Sequence, residues 1–165
     1  MKLIVMRHGE AEATNITDKA RKLTSFGRRQ AKHAASWLST QVFDNNKIDL
    51  ALVSPFVRTQ QTFECLKSVL TIPEKIDVEL LTPNCKAGQT HHCIDEILAQ
   101  HPDADSMIVV SHMPLVCYLV DELVTNQQSN LFDTSSMALI DYNRQTCSGE
   151  LLAFYHPSSV KFELK

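Results

Sequence analysis

The chain has 165 residues, of which 44% are hydrophobic and 21% are charged, and its formal net charge is −3. This composition excludes a disordered chain, and the weak negative charge gives no reason to expect nucleic-acid binding. The length fits one domain, residues 1–165, with a substantial core. No apolar run approaches the length of a membrane-spanning helix, so we expect a cytoplasmic protein that does not contact membranes. We also expect a monomer.

The first predicted strand, residues 3–6, is apolar and runs directly into Arg7, His8 and Gly9. In open α/β sheets, ligands bind at the carboxyl ends of the strands. An arginine fork fits a phosphate, a histidine can be a nucleophile or proton carrier, and glycine lets the backbone approach a ligand closely. The tripeptide alone is equally compatible with a polar turn, so its interpretation depends on the rest of the chain.

Residues 11–23 show no periodicity and are predicted to form a loop that contains Arg21. Apolar residues then recur at helical spacing from about residue 25 to residue 42. Thr24 or Ser25 is a plausible N-cap for this helix, because short hydroxyl side chains accept hydrogen bonds from free N–H groups.

A second short strand is predicted at residues 50–53, and Ser54 and Pro55 follow it. Serine caps helices and proline fits the first helical position, so we expect a helix to begin here. Arg58 then lies in or near the first turn, where the free N–H groups and the helix dipole favour an anion.

Predicted strands and helices continue to alternate to the end of the chain. Helices are expected from about residue 89 to residue 100 and after Pro114, which marks a helix start. His112 directly follows one of the strands. Further strands are predicted at residues 76–81, 107–110, 137–142 and 150–155, the last two as a hairpin or a pair of edge strands.

This alternation predicts a three-layer α/β/α fold with a mostly parallel sheet. Three strand ends then present their polar residues to the same edge of the sheet, namely Arg7 with His8, Arg58, and His112. Two arginines and two histidines that meet at strand ends and helix starts form a pocket for a phosphoryl group.

The five cysteines are an odd number without a C-x-x-C pair, which favours reduced thiols in the cytosol. Cys85, His91, His92 and Cys93 lie close together in the chain. Their spacing matches no structural zinc site, however, and adjacent side chains diverge on a helix. We therefore expect no metal and no other cofactor.

Several stretches, which follow one another along most of the chain, resemble a known family. They are Met6-Arg7-His8-Gly9, Arg21 with Leu23-Thr24, Val53-Ser54-Pro55-Phe56 with Arg58-Thr59 and Gln61-Thr62, Glu79-Leu80-Leu81-Thr82-Pro83, Val109-Val110-Ser111-His112-Met113-Pro114-Leu115-Val116, and Phe132-Asp133-Thr134-Ser135. The family is the histidine phosphatase superfamily, whose members share a phosphoglycerate mutase-like fold. Within it, the chain resembles the small SixA-type phosphohistidine phosphatases. Larger relatives carry inserted segments over the site, whereas this chain has no room for a large lid.

The resemblance implies that His8 attacks phosphorus and carries the phosphoryl group as a covalent intermediate. Attack requires a neutral ring, and neighbouring arginines lower the pKa of a histidine. Arg7 and Arg58 would hold the equatorial oxygens, where charge is spread in the transition state. His112 would be a further donor to those oxygens.

Other residues of the matching stretches are candidates for smaller roles. Arg21 and Gly9 would contact the substrate, with a solvent-exposed role as the alternative for Arg21. Larger relatives place an acidic residue over the site as general acid, and Glu79 is the only plausible acid in a matching stretch. A solvated or structural carboxylate is the alternative for Glu79, and it is preferred for Glu10 and Glu12.

A weak or missing acid favours an easily expelled leaving group. Imidazole, whose conjugate acid has a pKa of roughly 6.5, leaves far more readily than an alkoxide. We therefore expect a phosphatase acting on phosphorylated histidine of signalling proteins, and the family implies bacterial histidine-phosphotransfer domains as partners. The alternatives are a phosphatase for small phosphate esters and a non-catalytic phosphate-binding module. The complete set of Arg7, His8, Arg58 and His112 argues against the module, because a mere binder needs no unprotonated nucleophile.

Overall fold

The computed structural model describes residues 1–13, 17–41, 46–125 and 131–157. Its centre is one six-stranded sheet in which the first four strands in chain order run parallel, and the fifth runs antiparallel to its two neighbours, the first and the sixth. The strands are β1 (Lys2–Arg7), β2 (Leu50–Val53), β3 (Glu74–Asp77), β4 (Ser106–Ser111), β5 (Met137–Asn143) and β6 (Ser148–Tyr155). Their order across the sheet is β3-β2-β4-β1-β5-β6, which confirms the mostly parallel sheet.

Helices cover both faces of the sheet. In the described residues they are α1 (Ser25–Gln41), α2 (Val57–Lys67), α3 (Ala87–Gln100) and α4 (Leu115–Leu123), with 3₁₀ turns at Asp18–Ala20 and Glu79–Leu81. Successive residues of β1 point to opposite faces, so Leu3 packs with α3 and α4 while Ile4 packs with α1 and α2. Burial on both faces explains why this strand is apolar throughout, and it confirms the three-layer fold.

The segment between β3 and β4, all of which is described, holds one 3₁₀ turn and one helix, α3, so no large insertion from this segment covers the carboxyl edge of the sheet. No helix in the described part of the chain is long and apolar enough to cross a bilayer.

The third strand differs from the prediction of residues 76–81. It runs from Glu74 to Asp77, and the chain then turns into the 3₁₀ segment. Val78 still donates to the carbonyl of Val53, but Leu81 donates back to Val78. The turn buries both Val78 and Leu81 under α3, which a straight edge strand would place on opposite faces.

The start of α2 also differs from the prediction. The helix begins at Val57 with Phe56 as its N-cap residue, and no side chain caps it. The Ser54 hydroxyl is therefore not a helix cap, although Arg58 does lie in the first turn as predicted. At α1, by contrast, Thr24 acts as the predicted cap, because its Oγ1 accepts a 2.9 Å hydrogen bond from Gly27 N.

Candidate active site

The carboxyl edge of the parallel strands carries a cavity of about 410 Å³. Arg7 ends β1, Arg58 lies at the start of α2, and His8 and His112 follow β1 and β4. The cavity is lined by these four side chains together with Glu10, Ala11, Asp18, Arg21, Pro83, Met113 and Thr134. The fold thus brings together the four residues that the sequence placed at strand ends.

The tautomer of His8 follows from its hydrogen bonds. Its Nδ1 lies 2.7 Å from the carbonyl oxygen of Gly9, and a carbonyl can only accept, so Nδ1 carries the proton. Its Nε2 lies 3.1 Å from Nε of Arg58, and an arginine can only donate. His8 therefore holds a free electron pair on Nε2, the form that a nucleophile requires.

The surroundings of His8 keep its ring neutral. The side chain is buried, and burial, followed by the charges of Arg58, Arg7 and Arg21, lowers the pKa of His8 to about 3. The hydrogen bond to Gly9 opposes this change but does not outweigh it. At neutral pH Nε2 of His8 is therefore unprotonated.

Arg58 is held from three sides. Its Nη2 donates to Oδ2 of Asp18 at 3.0 Å, and its Nη1 donates to the backbone oxygen of the same residue. The guanidinium carbon lies 4.9 Å from the ring centre of Phe56, a distance suited to a cation–π contact. These contacts leave the Arg58 fork fixed beside the His8 ring, so it is preorganised for an anion.

Arg7 and His112 each present a polar atom without a partner. Arg7 donates from Nη1 to the carbonyl of Phe132 at 2.6 Å, while its Nε is buried and unpaired. His112 contacts Ser54 Oγ through Nε2 at 2.8 Å, while its Nδ1 is buried and unpaired. In the described residues the third such side-chain atom is Ser135 Oγ, next to Thr134 of the cavity wall.

Unpaired buried polar groups are costly, since each loses its contact with water without gaining a partner. Arg7 Nε is a donor, and two of the three atoms belong to side chains that line the cavity. A tetrahedral oxyanion offers acceptors in several directions at once. The cavity is therefore complementary to a phosphoryl group rather than to an apolar ligand.

His112 lies close to His8, with 5.1 Å between the ring centres. Burial, followed by the neighbouring His8, Arg58 and Arg7, lowers the pKa of His112 to about 2. This ring is therefore also neutral at physiological pH, and one of its two nitrogens carries a proton while the other does not.

Arg21 lies in the cavity wall, as the sequence suggested. Its Nε donates to the carbonyl of Glu12 at 2.7 Å and its Nη1 to Oδ1 of Asp18 at 3.1 Å. Although desolvation acts in the other direction, the hydrogen bonds from Arg21 and Arg58 hold the pKa of Asp18 below its usual value. Asp18 is therefore an ionised bridge between two arginines.

Gly9 is not among the residues that line the cavity, and its contact with substrate stays a prediction. Its N–H donates to Oγ1 of Thr62, and its carbonyl accepts from His8. A Cβ atom on Gly9 would lie 2.5 Å from the carbonyl oxygen of Gly27. A glycine is needed here because α1 packs directly against the strand-end loop.

Glu79 is also outside the residues that line the cavity. Its side chain is exposed, and its backbone carbonyl accepts from Thr82 and Cys85 in the 3₁₀ turn. Pro83 reaches the cavity instead. Glu10 does line the cavity, with its Oε1 accepting from Thr24 Oγ1 at 2.8 Å.

The sequence reasoning assigned no role in the site to four residues that belong to it: Asp18, Ser54, Phe56 and Thr62. Asp18 lies in a loop without periodicity, and Ser54 was interpreted as a helix cap. Thr62 lies one helical turn after Arg58, and its Oγ1 donates to the Arg58 carbonyl at 2.7 Å. That i, i+4 spacing was a usable signal, as was the i, i+3 spacing of Asp18 and Arg21. The bonds of Asp18 to Arg58 and of Ser54 to His112 join residues that are distant in the chain.

The histidines and cysteines of the third helix have separate partners. His91 Nε2 lies 2.8 Å from the Tyr142 hydroxyl, His92 pairs with Glu96, and the Cys85 thiol contacts Thr82. Within the described ranges, no three side chains of the metal-binding types come close enough to hold an ion.

Comparison with known proteins gives consistent results. Residues 3–81 match the model of the histidine phosphatase superfamily, branch 1. The chain is 34% identical over 140 residues to phosphohistidine phosphatase SixA of Escherichia coli, covering 85% of this chain and 84% of that protein. It is 37% identical over 143 residues to the SixA homolog of Haemophilus influenzae, covering 84% and 86%.

Among solved structures, the protein histidine phosphatase SixA in complex with tungstate is similar to this chain. The TM-score is 0.88 at 31% identity, and the match covers 98% of this chain and all of the other.

Proposed function

The chain belongs to the histidine phosphatase superfamily, and on that basis we propose that it is a phosphohistidine phosphatase of the SixA type. It is a hydrolase that removes the phosphoryl group from phosphorylated histidine of proteins. The observation that carries this proposal is the unprotonated Nε2 of His8 in a cavity walled by Arg7, Arg58 and His112. The similarity to a protein that binds tungstate, an oxyanion, supports an oxyanion as ligand of this chain.

In the first step, the substrate's phosphoryl oxygens take the unpaired donors of the cavity, Arg7 Nε among them. Arg58 Nε transfers its hydrogen bond from His8 to an oxygen, which frees the Nε2 electron pair. His8 Nε2 then forms a bond to phosphorus while the P–N bond to the substrate histidine breaks. When the distal ring nitrogen of the substrate carries a proton, the leaving group departs as neutral imidazole.

The intermediate carries the phosphoryl group on Nε2 of His8 and a proton on Nδ1, so its ring is cationic. The carbonyl of Gly9, 2.7 Å from Nδ1, accepts the hydrogen bond that holds this proton in place. In the second step a water oxygen bonds to phosphorus, the P–Nε2 bond breaks, and the water protons stay with the released phosphate. His8 returns to its starting tautomer.

The environments of Asp18 and Glu79 favour imidazole over an alkoxide as the leaving group. An alkoxide needs a proton from a general acid, which must be protonated near neutral pH. Asp18 lines the cavity, but its pKa is lowered by Arg21 and Arg58, so it cannot supply a proton. Glu79 does not line the cavity. Phosphohistidine requires little help, because protonated imidazole is a weak acid of pKa roughly 6.5 and neutral imidazole is a stable leaving group.

We infer that the partners are histidine-containing signalling proteins, such as histidine-phosphotransfer domains. The absence of a large insertion at the carboxyl edge of the described sheet supports this, because a side chain displayed on another protein can reach the cavity. Arg21 would add a contact at the cavity wall.

The test is a comparison of two substrates with one enzyme preparation. A histidine-phosphotransfer domain phosphorylated on histidine and an alkyl phosphate monoester are incubated with the purified chain, and phosphate release is followed. Release from the protein substrate should be far faster. Equal or faster release from the alkyl ester would indicate a phosphatase for small esters. No release from either, with inorganic phosphate still bound, would indicate a phosphate-binding module.

A further inference from the structure

We propose that Ser54 is a positioning residue, which fixes His112 in the tautomer that carries its proton on Nδ1 and so directs an N–H donor to the phosphoryl group. The Ser54 side chain lies outside the cavity wall and contacts His112 Nε2 at 2.8 Å. The inference deepens the proposed function and rests on it for the presence of a phosphoryl group.

The direction of this hydrogen bond follows from the Ser54 hydroxyl. Ser54 is fully buried, so its hydroxyl proton needs an acceptor within the protein. In the part of the chain that the structure describes, Nε2 of His112 is the acceptor within reach. If Nε2 carried a proton instead, the serine would accept that proton and its own would be left buried without a partner. The serine therefore donates, and Nε2 is unprotonated.

The other ring nitrogen must then carry the proton, because the His112 ring is neutral. Nδ1 is buried and unpaired within the described ranges, and the His112 side chain lines the cavity. A protonated Nδ1 can donate a hydrogen bond to an oxygen atom of the phosphoryl group. In the opposite tautomer an electron pair on Nδ1 would face the phosphoryl oxygens and repel them.

The geometry around this contact is fixed by the fold. Ser54 directly follows β2, and its N–H donates to the carbonyl of Val110 at 3.1 Å. Its carbonyl accepts from Thr59 Oγ1 at 2.8 Å, which ties it to the first turn of α2. The edge of the Phe56 ring lies against His112, with 4.9 Å between centres. Serine and imidazole therefore cannot move apart without disturbing sheet, helix and ring together.

This role also explains why Ser54 precedes a proline without capping the helix. Its hydroxyl points to His112 in the strand-end loop after β4, rather than to the free N–H groups of α2. The contact joins two elements of the sheet edge and spans 58 positions of the chain. It stabilises the one His112 tautomer that a phosphoryl group can use.

The first measurement is the tautomer of His112 in the unmodified protein at neutral pH. Long-range ¹H–¹⁵N correlation spectra of protein labelled with ¹⁵N-histidine distinguish a protonated from an unprotonated ring nitrogen. We expect a protonated Nδ1 and an unprotonated Nε2. The reverse pattern overturns the proposal, whether or not any variant folds.

The second measurement compares Ser54→Ala with Ser111→Ala. Ser111 is also fully buried and donates a 2.7 Å hydrogen bond, but to the carbonyl of Leu81 rather than to a ring. It therefore reproduces the loss of a buried hydroxyl next to His112 without touching the imidazole. The readouts are the His112 tautomer, the Kd for inorganic phosphate and kcat on phosphohistidine.

Ser54→Ala should shift the tautomer toward Nε2–H, raise the Kd for phosphate about tenfold and lower kcat by about tenfold or more. Ser111→Ala should leave the tautomer and the Kd as in the unmodified protein. Unchanged tautomer and Kd in a folded Ser54→Ala variant would overturn the proposal. The tautomer and the Kd for inorganic phosphate are measured without phosphohistidine. These two readouts therefore separate a failure of this inference from a failure of the proposed substrate.

Discussion

Arg58 Nε donates a 3.1 Å hydrogen bond to Nε2 of His8, the nitrogen that we propose attacks phosphorus. The contact favours the neutral His8 ring, because an arginine N–H can only donate a hydrogen bond and so cannot accept one from a protonated Nε2. It also occupies the electron pair that attack requires. Substrate must therefore draw Arg58 away before the bond to phosphorus forms, and the phosphoryl oxygens are the acceptors that can do so.

The first prediction concerns the nucleophile. His8→Ala should abolish phosphohistidine hydrolysis while the protein stays folded, because among the described side chains of the cavity His8 alone has an unprotonated ring nitrogen that is hydrogen-bonded to an arginine. The measurement is phosphate release, with circular dichroism to establish folding. His92→Ala is the control, since His92 is an exposed histidine paired with Glu96 on α3. Hydrolysis at the unmodified rate by folded His8→Ala would rule out a His8 nucleophile.

The second prediction concerns the planar fork of Arg58. Arg58→Lys keeps the positive charge but loses the geometry that reaches both Asp18 and His8. We expect kcat to fall by about 10²–10³, the range typical for loss of a donor that stabilises transition-state charge. Arg29→Lys, on the exposed face of α1, should be neutral. A loss of less than about threefold would show that charge alone is sufficient at this position.

The third prediction concerns stability and pH. In the unfolded chain His8 takes up a proton near pH 6.5, whereas in the folded protein its pKa is lowered to about 3. Between these values the unfolded state binds more protons, so the free energy of unfolding should decrease as pH falls from 6.5 toward 3. One such group contributes a slope of up to about 1.4 kcal/mol per pH unit.

Urea unfolding at pH 7, 6, 5 and 4 measures that slope. Replacing His8 by Asn removes one of the buried histidines, and the slope between pH 6 and pH 4 should become smaller by up to that amount. His92→Asn, at an exposed position, should leave the slope unchanged. Identical slopes for His8→Asn and the unmodified protein would show that His8 titrates normally in the folded state.

The fourth prediction tests the leaving-group argument at Glu79. General acid catalysis is typically worth about 10²–10⁴-fold. Glu79→Gln should lower turnover of phosphohistidine by less than roughly tenfold, because imidazole leaves with little help and Glu79 is not part of the cavity wall. Both phosphohistidine and an alkyl phosphate are measured at several pH values. A loss of about a hundredfold on phosphohistidine would make Glu79 an essential acid.

The fifth prediction is that metal chelation leaves the activity unchanged. Arg7, Arg58 and Arg21 supply positive charge around the cavity, so charge neutralisation of the phosphoryl group does not call for an added cation. The activity is measured before and after exhaustive treatment with EDTA. Loss of activity on chelation that one particular metal restores would contradict the prediction.

Much of the fold was accessible from local patterns in the sequence. Short apolar runs followed by helical spacing predict buried parallel strands and covering helices, because both faces of such a sheet must be shielded from water. The convergence of Arg7, His8, Arg58 and His112 followed from the same reasoning, since parallel strands present their carboxyl ends to one edge. The positions of these residues can be predicted from the strand and helix-start residues next to them in the sequence.

Tertiary structure alone decided the features that depend on distant partners. Asp18 bridges Arg58 and Arg21 from a segment without periodicity, and Ser54 bonds to a histidine in the loop after another strand rather than capping its own helix. Gly9 is required by the approach of Gly27, and the 3₁₀ turn leaves Glu79 outside the cavity wall. Hydroxyl and carboxylate groups bond to whatever the fold brings within about 3 Å, so their partners are set by packing and not by sequence spacing.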